Sequence, residues 1–157
     1  MGQPISQIRL VNSAGAQGAP ITQTGTAMDV NIASGTLPND LTVFASAARV
    51  ATPTPYDGEN IGGTGLNVVM DVTASAATPS VVVTIQGKDL VSGKFYTILA
   101  SAAFTGGVET RVLRVGPSLV AAANLAATAH LPRYWRVIVT HSDADSITYS
   151  VGASLMN

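Results

Sequence analysis

His141, Ser142 and Asp143 stand side by side near the C-terminal end, the three residue types of a nucleophilic relay. Such a relay needs its side chains to converge, base on nucleophile and acid on base. Neighbouring residues in a turn point apart, so this adjacency speaks against a relay. The other of the two histidines, His130, precedes Leu131-Pro132 in an expected loop. Asp143-Ala144-Asp145 offers closely spaced carboxylates of the kind that hold calcium, but the glycine and bidentate Glu of such a loop do not follow. Asp side chains also bond nearby backbone amides in ordinary turns, and a turn is the expectation.

Gly87-Lys88 and Gly93-Lys94 invite comparison with a phosphate-binding loop, which requires four residues between its glycines and then Lys-Ser/Thr. Here five residues, Lys88 to Ser92, separate the glycines, and Phe95 follows the lysine. A glycan hydrolase would need two carboxylates facing each other across a cleft. Asp71, Asp89 and Glu109 are available, yet nothing in the sequence brings a pair of them together. The expectation is therefore a protein that is not an enzyme, with no cofactor and no metal.

Arg111, Arg114, Arg133 and Arg136 fall on two segments that read as strands able to pair, with Tyr134 and Trp135 beside them. Arginine with aromatics suits stacked bases, and it equally suits the hot spots of protein interfaces. A net charge of −1 supplies no basic field for nucleic acid. Arg111, Arg114, Arg136 and Tyr134 are thus candidate contacts with a protein partner. Trp135 alternates with Val137 and Val139 and is assigned to the core. For a surface that grips sugars, Tyr56, Tyr96 and Tyr149 are the available aromatics.

The elements that must position these residues read as strands. Leu66, Val68, Met70 and Val72 share one face against Asn67, Asp71 and Thr73, and Val81, Val83 and Ile85 repeat the scheme against Thr84 and Gln86. Asp89 to Lys94 supplies a turn into Phe95–Ala100, where Phe95, Thr97 and Leu99 alternate with Tyr96 and Ile98. Arg111, Leu113 and Val115 oppose Val112 and Arg114 on the next strand. Tyr134–Thr140 is the clearest strand, rich in aromatic and β-branched residues, and Ile147, Tyr149 and Val151 mark the last. Leu41–Ala45 forms a lead-in strand, Pro53 and Pro55 mark an edge or a loop, and Gly62-Gly63-Thr64-Gly65 reads as a flexible joint. The Ala-rich stretch from Leu119 to Thr128 has the composition for a helical turn or two. Strands in series without amphipathic helices between them predict an all-β, antiparallel sandwich or jelly-roll-like domain over 41–157, with 41–65 as lead-in strand and joint.

The first 40 residues have a different texture. Ser13-Ala14-Gly15-Ala16-Gln17-Gly18-Ala19-Pro20 and Thr22-Gln23-Thr24-Gly25-Thr26 isolate the large apolar residues, leaving too little to bury against the cost of ordering. Ala27 to Ala33 alternates, placing Met28, Val30 and Ile32 on one side of an extended segment. Residues 1–40 are therefore expected to be an extended arm, either disordered or ordered by strand addition to a neighbour through Met28, Val30 and Ile32. No stretch approaches the length of a membrane helix, no signal peptide is evident, and cysteine is absent. Charged residues make up 11% of the chain, against roughly 25% in ordinary soluble domains, and the mean hydropathy is +0.34. So sparsely charged a surface implies cover by other subunits.

Two stretches carry a resemblance. Met28-Asp29-Val30-Asn31-Ile32-Ala33-Ser34-Gly35 looks like the short extended motif in the N-terminal arms of small virion proteins. From Leu66 to Leu155, the order Ala77 to Asp89, Gly93-Lys94-Phe95-Tyr96, Leu131-Pro132-Arg133-Tyr134-Trp135-Arg136-Val137 and Asp145 to Val151 is similar to β-sandwich structural proteins of tailed bacteriophages, most like those that decorate or cement capsids. The resemblance implies a virion protein on the capsid exterior, with the major capsid protein and its own copies, as a homotrimer, for partners, and with neither nucleic acid nor membrane among them. A tail, neck or fibre component, or a module that binds host glycans, is the alternative.

Overall fold

A computed structural model describes residues 40–156. The arm and its residues Met28, Val30 and Ile32 lie outside the described residues. Within them the strands are β1 (Asp40–Arg49), β2 (Tyr56–Glu59), β3 (Gly65–Ser75), β4 (Val81–Lys88), β5 (Phe95–Ala100), β6 (Glu109–Val115), β7 (Ala126–Ala127), β8 (Tyr134–His141) and β9 (Ile147–Met156). They form two sheets, ordered β1-β9-β3-β6-β7 and β2-β8-β4-β5. Apart from the two-residue β7, which runs parallel to β6, all pairs are antiparallel. The pairs β1·β9, β2·β8, β3·β6 and β4·β5 are those of one long hairpin, from its open end to its tip, rolled so that β9 also meets β3 and β8 meets β4. This is the wrapping of a double-sheet jelly roll, in agreement with the all-β sandwich expected from the alternation.

Alternation also places the core. Leu66, Val68, Met70 and Val72 of β3 meet Val81, Val83 and Ile85 of β4, Trp135, Val137 and Val139 of β8, and Ile147, Tyr149 and Val151 of β9. Nearly all of this surface is removed from water, and each such side chain contributes about 1.5–3 kcal/mol relative to exposure. Trp135 is accommodated by Gly58 on β2, the residue opposite it, where a β-carbon would overlap the indole ring.

Four local expectations are corrected. β1 runs to Arg49, well beyond Ala45, because two irregularities between Thr42 and Ala47 bend it along β9. Arg49 satisfies the carbonyls there, its guanidinium donating to Ala45 at 2.7 Å, to Ala47 at 3.0 Å and to Tyr149 at 2.8 Å. Gly62 to Gly65 is knit together rather than free: Asn60 Oδ1 accepts from the amides of Gly62 and Gly63, and its Nδ2 donates to the carbonyls of Gly63 and Leu131. The Leu119–Thr128 stretch forms turns and β7 instead of helix. It lacks a cap and an apolar stripe, and the β6 edge offers backbone partners at Arg114 and Gly116. Finally, a register shift opposite Ile85 and Gln86 changes the parity of β5, so Leu99 faces the core while Phe95 and Thr97 share the outer face with Lys88 and Gln86.

Candidate functional site

His141 and Asp143, whose adjacency spoke against a relay, are each engaged by other bonds. His141 closes β8 and turns inward, its Nε2 lying 3.1 Å from the Tyr149 hydroxyl. Its backbone amide donates to Thr52 Oγ1. Burial holds its pKa below the usual histidine range, with the Arg49 charge adding to the effect and Asp143 opposing it. Asp143 instead accepts from the amides of Ser80 at 2.7 Å and of Asp145 at 3.1 Å, while Asp145 accepts from the amide of Thr78. The two carboxylates therefore tie the β8–β9 turn to the β3–β4 connection, with both Asp143 oxygens and Asp145 Oδ2 accepting from backbone amides. Among the described residues, no group of three or more His, Asp or Glu side chains is placed to hold a metal ion. Asp89 behaves similarly in its turn: the Ser92 hydroxyl, then the amides of Val91 and Ser92, lower its pKa.

The four arginines do not share a surface. β6 pairs with β3 and β7, whereas β8 pairs with β2 and β4, so the two strands expected to pair lie in different sheets. Arg111 sits at the sandwich edge, bound by Glu109 through Nε at 2.8 Å and Nη2 at 2.9 Å, with Nη1 on the Ala102 carbonyl. Arg114 is exposed on the outer face of the five-stranded sheet, opposite Asn67. Arg133 pairs with Glu59 at 3.0 Å, which raises its pKa.

Arg136 and Tyr134 belong to the outer face of the four-stranded sheet, and this face carries the most organised polar cluster. Asp57, Arg136, Gln86 and Thr97 form one row across all four strands. Glu59 opposite Tyr134, and Lys88 opposite Phe95, belong to the next row. The Arg136 guanidinium lies 3.7 Å from the centre of the Phe95 ring, and its Nε donates to Gln86 Oε1 at 2.7 Å. Lys88 Nζ approaches the same ring at 5.6 Å. Lys88 and Phe95 also line a cleft of about 90 Å³ with Asp57 and Tyr134. Sequence spacing could not group these residues, because Phe95 reaches the face only through the parity change in β5.

Two of the three candidate sugar-binding tyrosines are committed elsewhere. Tyr149 is fully buried, and Tyr56 is half-buried with its ring centre 6.1 Å from that of Trp135. Tyr96 remains, 49% exposed, on the outer strand of its sheet.

No protein-family model matches the chain, and no curated protein matches it in sequence.

Proposed function

We propose that this protein is a structural component of a phage virion that docks on the capsid exterior and ties neighbouring capsomers together. The observation that carries this reading is an apolar display at one end of the sandwich. Val91 is 98% and Leu90 65% exposed at the tip of the β4–β5 turn, and Ile61 is 59% exposed after β2. Strand register puts both at the end of the sandwich where β1 begins at Asp40. Large apolar side chains at loop tips gain nothing in water and suit a surface that is covered in use.

Two attachments on one chain, sandwich tip and arm, raise each other's effective concentration. The arm would bind through Met28, Val30 and Ile32 and the sandwich would associate with its own copies, as a trimer at a local threefold axis. β5 adds a route for association: Phe95-Tyr96-Thr97-Ile98-Leu99-Ala100 is an uncharged strand at the outer position of its sheet, the kind of edge that recruits another strand. Jelly rolls serve in both viral shells and lectins, an analogy of fold alone. The burial of Tyr149 and the packing of Tyr56 weigh against the glycan-binding alternative.

The test is to locate the protein on purified particles of the phage that encodes it, by cryo-electron microscopy and quantitative mass spectrometry. Many copies spread over the shell are expected. A few copies at the tail would favour a neck or fibre role, and absence from the particle would overturn the reading.

A further inference from the structure

We propose that the outer face of the four-stranded sheet is a carboxylate-binding site, built from Arg136 and Lys88 astride Phe95, which receives an aspartate or glutamate side chain of a partner protein. The inference does not rest on the virion reading.

Arg136 is fixed before any ligand arrives. Its guanidinium stacks on Phe95 at 3.7 Å while Nε is spent on Gln86 at 2.7 Å. Its two terminal nitrogens have no hydrogen-bond partner among the described residues, whose ion pairs join Arg111 to Glu109 and Arg133 to Glu59. A stacked guanidinium with a free planar fork is suited to bidentate recognition of a carboxylate, and holding it in advance reduces the entropy lost on binding. Lys88 Nζ, 5.6 Å from the same ring, adds a second cation without a carboxylate partner among the described residues. The adjoining cleft of about 90 Å³ has room for a carboxylate and a methylene or two.

The surroundings decide which anion. Asp57 lines the cleft and repels a doubly charged phosphate more strongly than a single carboxylate. The chain's net charge of −1 disfavours a polyanion. An acidic sugar would seek a bare aromatic face, but Phe95 carries Arg136, and Tyr134 carries the Arg133 guanidinium at 5.3 Å. A protein side chain needs only the fork and the cation beside it.

The experiment is an NMR titration of the full-length protein, reading arginine Nε–H and backbone amide signals. The probes are a blocked Gly-Glu-Glu-Gly peptide, its Gly-Gln-Gln-Gly analogue, sialyllactose and inorganic phosphate. The Glu peptide is expected to shift Arg136 Nε–H and the amides of Lys88 and Phe95, with affinity roughly tenfold above the Gln peptide. R136Q and, independently, K88Q should each abolish or weaken that response, whereas R114Q, on the other sheet, should leave it unchanged. Equal binding of both peptides, no shift at Arg136, persistence in both R136Q and K88Q, or preference for phosphate or sialyllactose would each overturn the proposal.

Discussion

His141 Nε2 lies 3.1 Å from the hydroxyl of Tyr149, a contact that joins the last residue of β8 in one sheet to β9 in the other. The ring centres are 5.8 Å apart, and the Arg49 guanidinium covers the tyrosine ring at 4.5 Å. The environment thus favours a neutral imidazole and a neutral phenol.

Stability should therefore fall at both ends of the pH scale. Burial depresses the folded-state pKa of His141 below its usual 6.5, so the unfolded chain takes up the proton first as pH drops. Its contribution is present above about pH 6.5 and is lost as pH falls from there through the folded value. Burial pushes Tyr149 from 10.0 up to about 12, so its contribution is present below pH 10 and fades as pH rises toward 12. Urea unfolding midpoints measured across pH should trace this dome. H141Q should flatten the acid limb and Y149F the alkaline one, with Y149F costing about 1 kcal/mol at neutral pH.

Gly58→Ala should destabilise the sandwich although glycine is replaced by the residue nearest to it in size. The new β-carbon would overlap the Trp135 ring, and that ring is locked in the core. Overpacking of this kind costs roughly 1–3 kcal/mol. Chemical denaturation followed by fluorescence of the chain's single tryptophan measures both the loss and the displaced indole.

Ser101 is the buried polar residue that extends the β4–β5 pairing. Its hydroxyl accepts from the Val83 amide at 3.0 Å, and its own amide donates to the Val83 carbonyl at 2.8 Å. Ser101→Ala leaves the buried Val83 N–H without its acceptor, at a cost of about 1–3 kcal/mol. Hydrogen exchange should show faster loss of protection at Val83 than at Val139, which lies opposite it on β8.

Replacing Leu90 and Val91 by lysine should leave the isolated fold within about 0.5 kcal/mol of its starting stability, since exposed tip residues support little packing. On the virion reading, the same double variant binds shells far more weakly in a cosedimentation assay. Unchanged binding would remove the sandwich tip from the attachment surface.

Much of the architecture was legible because a strand with one buried face records that burial as period-two alternation. Val68, Met70, Val81, Val83, Val137 and Val139 were identified in this way. The turns at Asp89–Lys94 and Asp143–Asp145 were legible because Asp bonds the backbone locally. The β5 parity change, the extra length of β1 and the strand at Tyr56–Glu59 were not. Each arises where pairing with a distant strand overrides a short or irregular pattern, as when Gly58 is required by the indole of Trp135.

The sequence by itself determined the all-β class, most of the core residues and the scarcity of charge. These are properties of composition and short-range periodicity, which need no knowledge of which strands meet. Only the tertiary structure decided that Arg111 and Arg136 lie in different sheets and that Phe95 sits beneath Arg136. It also decided that His141 meets Tyr149 instead of Ser142 and Asp143. Those contacts depend on how one long hairpin rolls up, and rolling is settled by packing between residues far apart in the chain.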